Sequence, residues 1–428
     1  MVSGMRCDLN HSHFFLKFAV SCLFLGLAFR LLFTGSLTLL SVLLHNTPPL
    51  DQNAVAESPL FSLPSLKPHD SVDFPGNHSQ TSPKDAEKCD RFVGDWVRDQ
   101  SGPLYTNESC HMIEGHQNCM RNGRTDLEYL HWRWKPRGCE LPKFSPQKFL
   151  AIMRHKSFAF IGDSISRNHV QSLICILSQV EAADEVYHDE EYRSKIWKFP
   201  SHNFTLSVIW SPFLLKSDIF EDMNGVSSSE INLYLDILDN NWNNQYKNFD
   251  YVVIAGGKWF LKTAIYHENN TVTGCHYCPG KNLTELGFDY AYRKAMELVF
   301  YFMATNSNHK AIVFFRTSTP DHFENGAWFS GGYCNRTVPF KEGEVEMSYV
   351  DSVMRGIEIE EFDKAERSLG SNLRLLDTTT LSLLRPDGHP GPYRELDPFA
   401  KAKLQNDCLH WCLPGPIDSW NDILMQML

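Results

Sequence analysis

This chain carries no long block of lysine or arginine, and its formal net charge is −11. That balance argues against a nucleic-acid partner and fits neutral or weakly charged ligands better. A glycine-rich phosphate-cradling loop is also missing, since the pair Gly256-Gly257 is too short a signal for one. No internal repeat occurs, and no low-complexity tract outside residues 45–87. The C-x-x-C of Cys275 and Cys278 has no second pair near it, which favours a local disulfide over a zinc site. Lysine and arginine are absent again between Arg30 and Lys67, and this last gap is informative.

It follows residues 14–44, a long apolar stretch. A membrane helix needs about 20 such residues. Arg6 and Lys17 lie before or at the start of the stretch. The positive-inside rule therefore makes residues 1–13 a cytosolic tail, residues 14–44 a signal anchor, and the remainder lumenal. Arg30 falls inside the span, where shifting, snorkelling or pairing would relieve its cost. A cleaved signal peptide is the rival reading, but the stretch is too long for a typical h-region and no clear small-x-small site follows. Residues 45–87, rich in Pro, Ser, Asp and Asn, read as a flexible stem.

Two further patterns suit an exported chain. Sequons stand at Asn77, Asn107, Asn203, Asn269, Asn282 and Asn335, although Asn10 heads one on the cytosolic side as well. The cysteines after the anchor are Cys89, Cys110, Cys119, Cys139, Cys175, Cys275, Cys278, Cys334, Cys408 and Cys412, an even set that reads as disulfides in an oxidising compartment. Their connectivity is open from the residues alone.

Residues 88–142 hold four of these cysteines and many aromatics, which suggests a small disulfide-clipped subdomain with little regular structure. Its Trp96, Trp132 and Trp134 read as core or as sugar platforms. From 143 to 428 the pattern alternates. Apolar runs at 158–162, 205–210, 249–257, 311–317 and 373–379 read as strands; helical spacing marks 166–180, 231–245, 290–304 and 358–369. Such alternation predicts an α/β fold, a mostly parallel sheet covered by helices on both faces. The chemistry of such sheets sits at the carboxyl ends of strands, which gathers Ser164, Gly256, Gly257 and His322 on one edge.

Ser164 follows a strand in Gly-Asp-Ser and opens a helix. It reads either as part of a helix cap or as a nucleophile, aided by the N–H groups of the helix start. The C-terminal "DCLHWC" decides between them. Asp407 and His410 stand three apart, bracketed by Cys408 and Cys412. An aspartate can hold one imidazole nitrogen while the other takes the proton of a serine. A catalytic triad of Ser164, His410 and Asp407 is therefore expected.

These motifs resemble the GDSL/SGNH esterase superfamily. The fuller set is similar to the plant trichome birefringence-like proteins, Golgi polysaccharide O-acetyltransferases: "KCDRFVGDWV" (88–97), "GDSISRNHVQSLICILS" (162–178), "FRTSTPDHFENGAWFSGGYCNR" (315–336), "LRPDGHPGPY" (384–393) and "DCLHWCLPGPIDSWNDIL" (407–424). The resemblance implies an SGNH-hydrolase-like fold and an acetyl-Ser164 intermediate. It implies a wall polysaccharide as acceptor, and, from the insert at 271–287, the xyloglucan-acetylating branch. Xylan, pectin and a plain acetyl-esterase remain alternatives. It implies no bound cofactor, with acetyl-CoA or an unknown carrier such as another membrane protein as acetyl donor. The pairings it suggests are Cys89–Cys139, Cys110–Cys175, Cys119–Cys412, Cys334–Cys408 and Cys275–Cys278. The wider superfamily's Gly-x-Asn-Asp is missing after the second strand, where "AGGKWF" stands. Backbone N–H groups of Ser164 and Gly256 or Gly257 are the expected oxyanion donors instead. Arg167 and Asn168 either assist them or tie down the turn. His322, Trp328 and His389 are candidate substrate contacts, with Trp259 and Trp411 as further sugar platforms.

Overall fold

The computed structural model describes residues 89–219, 230–306, 309, 311–400 and 404–428. The expected tail, anchor and stem lie outside the described residues, among which no helix is long and apolar enough to cross a membrane.

The first described segment forms an antiparallel pair of β1 (Gly94–Arg98) and β2 (Trp132–Pro136), in which Trp96 faces Trp134 across the register. Both rings are buried, so these two tryptophans belong to the core. Pro146–Ile152 (α1) follows, capped by Ser145. Next come β3 (Ser157–Gly162), α2 (Ser164–Leu177), β4 (Asp184–His188), β5 (Lys195–Phe199), β6 (Phe204–Trp210), β7 (Leu215–Asp218) and β8 (Ile231–Leu238). The chain continues through β9 (Tyr251–Ile254), β10 (Ala264–Glu268), β11 (Thr271–His276), α3 (Gly287–Thr305), β12 (Ile312–Arg316), α4 (Tyr349–Leu369) and β13 (Leu373–Leu376). Asp418–Met427 (α5) closes it.

The central sheet has the order β13-β12-β9-β3-β6-β5-β4. The five strands from β13 to β6 run parallel; β5 and β4 add an antiparallel edge. Strand β3 shows why its residues sit at the centre. Phe158 and Phe160 face one core layer, packed with α2 and α5, while Ala159 and Ile161 face the other, packed with α3 and α4. A strand buried on both faces needs an unbroken apolar run rather than an alternating one.

The sequence pattern misses a second sheet, of order β11-β10-β8-β7. Residues 231–245, expected as one amphipathic helix, are β8 followed by the short turn Asn240–Asn243. Ile231, Leu233 and Leu235 are buried and alternate with less buried Asn232, Tyr234 and Asp236. That period of two fits a half-buried strand, although Ile231, Leu235 and Leu238 also satisfy helical spacing. All five disulfides that the resemblance implies are present.

Candidate active site

Strand β3 ends at Gly162, whose φ is +152°, and a Cβ there would lie 2.6 Å from the carbonyl oxygen of Ala255. Only glycine makes this close approach without displacing the neighbouring strand. Asp163 then caps α2: its carboxylate accepts the N–H of Ile165 at 2.9 Å, and its carbonyl accepts those of Ser166 and Arg167. Burial pushes the Asp163 carboxyl up, while the buried guanidinium of Arg316 pulls the other way. Ser164 is therefore the first residue of a helix, with a half-buried side chain at the carboxyl edge of the parallel sheet.

The C-terminal loop reaches this point. Ser164 Oγ stands 2.7 Å from His410 Nε2, and His410 Nδ1 stands 2.8 Å from Asp407 Oδ2. The other oxygen of Asp407 accepts the N–H groups of Leu409 and His410, so one carboxylate holds both the ring and the turn beneath it. Burial pushes this carboxyl up, but the adjacent imidazole and its hydrogen bonds outweigh burial and hold it well below the usual carboxylate range. A serine, an imidazole and a buried carboxylate in this order have the parts of a hydroxyl activated by a general base.

Several straps fix the loop. Asn168, on α2 one turn past Ser164, accepts the N–H of Trp411 at 2.7 Å and donates to its carbonyl at 3.2 Å. It is fully buried, so it holds the loop and does not meet substrate. His389 Nδ1 lies 2.8 Å from the carbonyl of His410, and His389 Nε2 lies 2.7 Å from His322 Nδ1. Both histidines are buried, at 4% and 9% exposure, which corrects the expectation that they contact substrate. Trp411 is wholly buried and stacks on His389 at 4.3 Å, so it is core and not a sugar platform. Cys334–Cys408 and Cys119–Cys412 tie the loop on either side of His410.

The remaining expected residues spread around this centre. Gly256 and Gly257 follow β9 beside β3, and among the described residues no backbone hydrogen bond from either N–H is found. A Cβ on Gly257 would fall 2.4 Å from the Asp163 carboxylate; one on Gly256 would strike the Tyr292 ring. Arg167 lays its guanidinium over Trp210 at 5.1 Å. Trp328 is 51% exposed and meets only the edge of Phe329 among the described ring contacts; Trp259 is half-buried against Trp210 and Phe213. One neighbour was not foreseen. His116 sets its ring edge-to-face with His410, centroids 6.2 Å apart, and borders a cleft of about 350 Å³ with Arg121, Asn122 and Arg394. Nothing in "IEGHQNC" marks it beyond its closeness to Cys119, whose partner lies two residues after His410. A second cleft, about 310 Å³, opens beside Arg193, Trp210 and Asp239.

Two family models match the chain. The PC-Esterase model, described as a GDSL/SGNH-like acyl-esterase family found in Pmr5 and Cas1p, covers residues 141–427, and the PMR5 N terminal domain covers 87–140. Among curated relatives, protein trichome birefringence-like 26 of Arabidopsis thaliana is 64% identical over 359 residues, 82% of this chain and 78% of its own length. Protein trichome birefringence-like 25 of the same plant is 56% identical across 100% of this chain and 95% of its own. Xyloglucan O-acetyltransferase 1 of Arabidopsis thaliana is 45% identical over 349 residues, 81% of each chain.

Proposed function

We propose that this chain, which belongs to the GDSL/SGNH-like acyl-esterase family and to its trichome birefringence-like members, is a polysaccharide O-acetyltransferase. The observation that carries this is the run from Ser164 Oγ to His410 Nε2, at 2.7 Å, and from His410 Nδ1 to Asp407, at 2.8 Å. In the first half-reaction Ser164 Oγ attacks the acetyl carbonyl of the donor. His410 takes the hydroxyl proton and passes it to the leaving group. In the second, a sugar hydroxyl attacks acetyl-Ser164, His410 takes its proton, and the proton returns to Ser164 Oγ as the acetyl bond to serine breaks. Both halves pass through an oxyanion, for which the N–H groups of Ser164 and of Gly256 or Gly257 are the proposed donors.

The acceptor we propose is a plant wall polysaccharide, xyloglucan first, since relatives carrying that name are 44% and 45% identical to this chain. Acetyl-CoA or a membrane-borne acetyl carrier would be the donor. The exposed Trp328 offers an aromatic face to a sugar ring. The apolar stretch 14–44 supports a single-pass type II Golgi membrane protein with the catalytic domain, residues 143–428, and the clipped subdomain, 88–142, in the lumen. The family's description as acyl-esterases favours a second reading, in which water replaces the sugar as acceptor.

One experiment separates these. The full chain is incubated with an acetyl donor and deacetylated xyloglucan, xylan or pectin oligomers, and the products are weighed by mass spectrometry. Addition of acetyl groups to xyloglucan alone is expected, and Ser164→Ala should remove it. Release of free acetate with no acetylated glycan would establish the esterase instead.

A further inference from the structure

We propose that the cleft beside His410, walled by Arg121 and Arg394, binds a phosphate group carried by the acetyl donor. The proposal rests on acetyl transfer at Ser164, as above, and names the chemistry of the donor. The cleft measures about 350 Å³. Its first wall, in residues 115–122, belongs to the N-terminal subdomain and is fixed to the catalytic loop by Cys119–Cys412. Its second wall, residues 394–396, follows Gly391, which exchanges backbone hydrogen bonds with Asp407 at 2.8 and 2.9 Å. Asn122 is buried and joins the walls, donating to the carbonyls of Gly115 at 2.6 Å and Tyr393 at 2.7 Å. The cleft is therefore built before any ligand arrives. His116, edge-to-face with His410, sets it next to the general base.

The charges in it do not cancel. Arg121 is exposed and Arg394 half-buried, and among the described residues neither guanidinium forms a hydrogen bond or an ion pair. Arg394 acts on Asp407 through space only, because the oxygens of Asp407 are taken by His410 and by the N–H groups of the turn. Glu395 is the one carboxylate among the lining residues, so two cations face one anion. Glu114, close to His116, is paired with Lys195. Burial pushes the His116 imidazole down to about 4, so the ring stands neutral and leaves the balance as it is. The chain as a whole has 51 acids against 40 bases, yet this cleft stays positive. Guanidinium forks without a partner are the groups that recognise phosphate and carboxylate.

The two substrates differ in which can supply that anion. Xyloglucan, the acceptor proposed above, is an uncharged polymer, so the anion falls to the donor. A donor held by its phosphate keeps its acetyl end free to reach Ser164. A carrier without phosphate would leave both guanidinium groups unused.

Binding is measured first, by calorimetry on the full chain carrying Ser164→Ala, with coenzyme A, pantetheine and inorganic phosphate as probes. Coenzyme A and pantetheine share a thiol arm and differ in the phosphates. Coenzyme A should bind at least about tenfold more tightly, and Arg121→Gln combined with Arg394→Gln should erase the difference. The paired Arg→Lys substitutions, which keep the charge, should retain most of it. Turnover follows on chains that keep Ser164. The ratio of kcat/KM for acetyl-CoA to that for the neutral p-nitrophenyl acetate should fall at least about tenfold in the double Gln variant, through KM. A variant that merely folds poorly lowers both and leaves the ratio alone; Arg121→Gln by itself, on an exposed side chain, then decides. Acetyl phosphate as a second donor tells a short phosphate donor from a nucleotide-bearing one, and a selective loss for either supports the proposal. Equal affinities for coenzyme A and pantetheine with no binding of inorganic phosphate would overturn it, as would a preference that survives the double Gln substitution. A double variant impaired only toward carboxylated pectin oligomers would overturn it too, by placing the anion on the acceptor. Turnover that does not depend on Ser164 would count against the proposed function, and the binding comparison would still decide the cleft.

Discussion

A single carboxylate, Asp407, sets both the tautomer and the position of the imidazole beside Ser164, because its two oxygens divide between His410 Nδ1 and the turn N–H groups. Asp407→Asn would offer an amide in place of an acceptor. The ring would then turn or carry its proton on Nε2, where Ser164 needs a lone pair. A loss of about 10⁴ in kcat is expected, with KM changed little, read in the acetyl-transfer assay; a loss under about tenfold would remove Asp407 from the mechanism. The pH dependence has a definite sign. A carboxyl held low in the fold keeps its interaction above its unfolded pKa, about 3.9, and loses it only as pH falls through the lower folded value. A mildly acidic compartment therefore leaves Asp407 ionised, and no limb of the activity profile belongs to it. At this scale the meeting of Ser164, His410 and Asp407 was legible. Gly-Asp-Ser after an apolar run and Asp-x-x-His between cysteines are local signals. The roles of Asn168, His322 and His389 were not, because each is defined by a backbone group more than 20 residues away, at Trp411, Leu383 and His410, which spacing does not reveal.

At the scale of elements, α4 brings a buried acid under the carboxyl ends of β9 and β12. Glu358 is completely buried, accepts the phenol of Tyr292 and the N–H of Ser318 at 2.8 Å, and has its carboxyl pushed up to about 8 by burial. In the unfolded chain the same group titrates near 4.3. The folded form thus binds the proton more tightly, and the group's contribution is fully favourable below the unfolded value and declines as pH rises to about 8. Glu358→Gln keeps an acceptor for Ser318 and removes the titration. Its melting temperature should match the wild type near pH 5 and exceed it by a few degrees near pH 8, a gain of about 1 kcal/mol or more. Equal melting curves at both pH values would mean that Glu358 ionises freely. The parallel strands around this acid were readable from their unbroken apolar runs, since double burial leaves no polar alternation. β8, β10 and β11 were not, because 231–238 satisfies two periods at once and a half-buried sheet is chosen by its partners.

For the molecule as a whole, the site joins segments that are distant in sequence, and disulfides do the joining. Cys119 and Cys412 are 293 residues apart, and their bond fastens the N-terminal subdomain to the chain two residues after His410. Cys334–Cys408 fastens the other side, next to Asp407. The central sheet depends on neither: its strands are held by ladders and by apolar layers such as Phe158, Phe160 and Phe314 on one face and Ala159, Ile161 and Phe315 on the other. Reduction should therefore act in two stages. Cys334 is half-buried and reachable, whereas Cys119 and Cys412 are fully buried and yield only when the loop opens. Along a dithiothreitol titration, acetyl transfer should disappear while far-ultraviolet circular dichroism still reports the sheet. Replacing both Cys119 and Cys412 by serine should cost about 2–5 kcal/mol and reproduce the inactive, folded state without reductant. If activity and dichroism fell together at one reductant concentration, the subdomain and the sheet would form one cooperative unit. The straps would then hold the fold itself, and the positioning of His410 would have to come from Asn168 and the buried histidines alone.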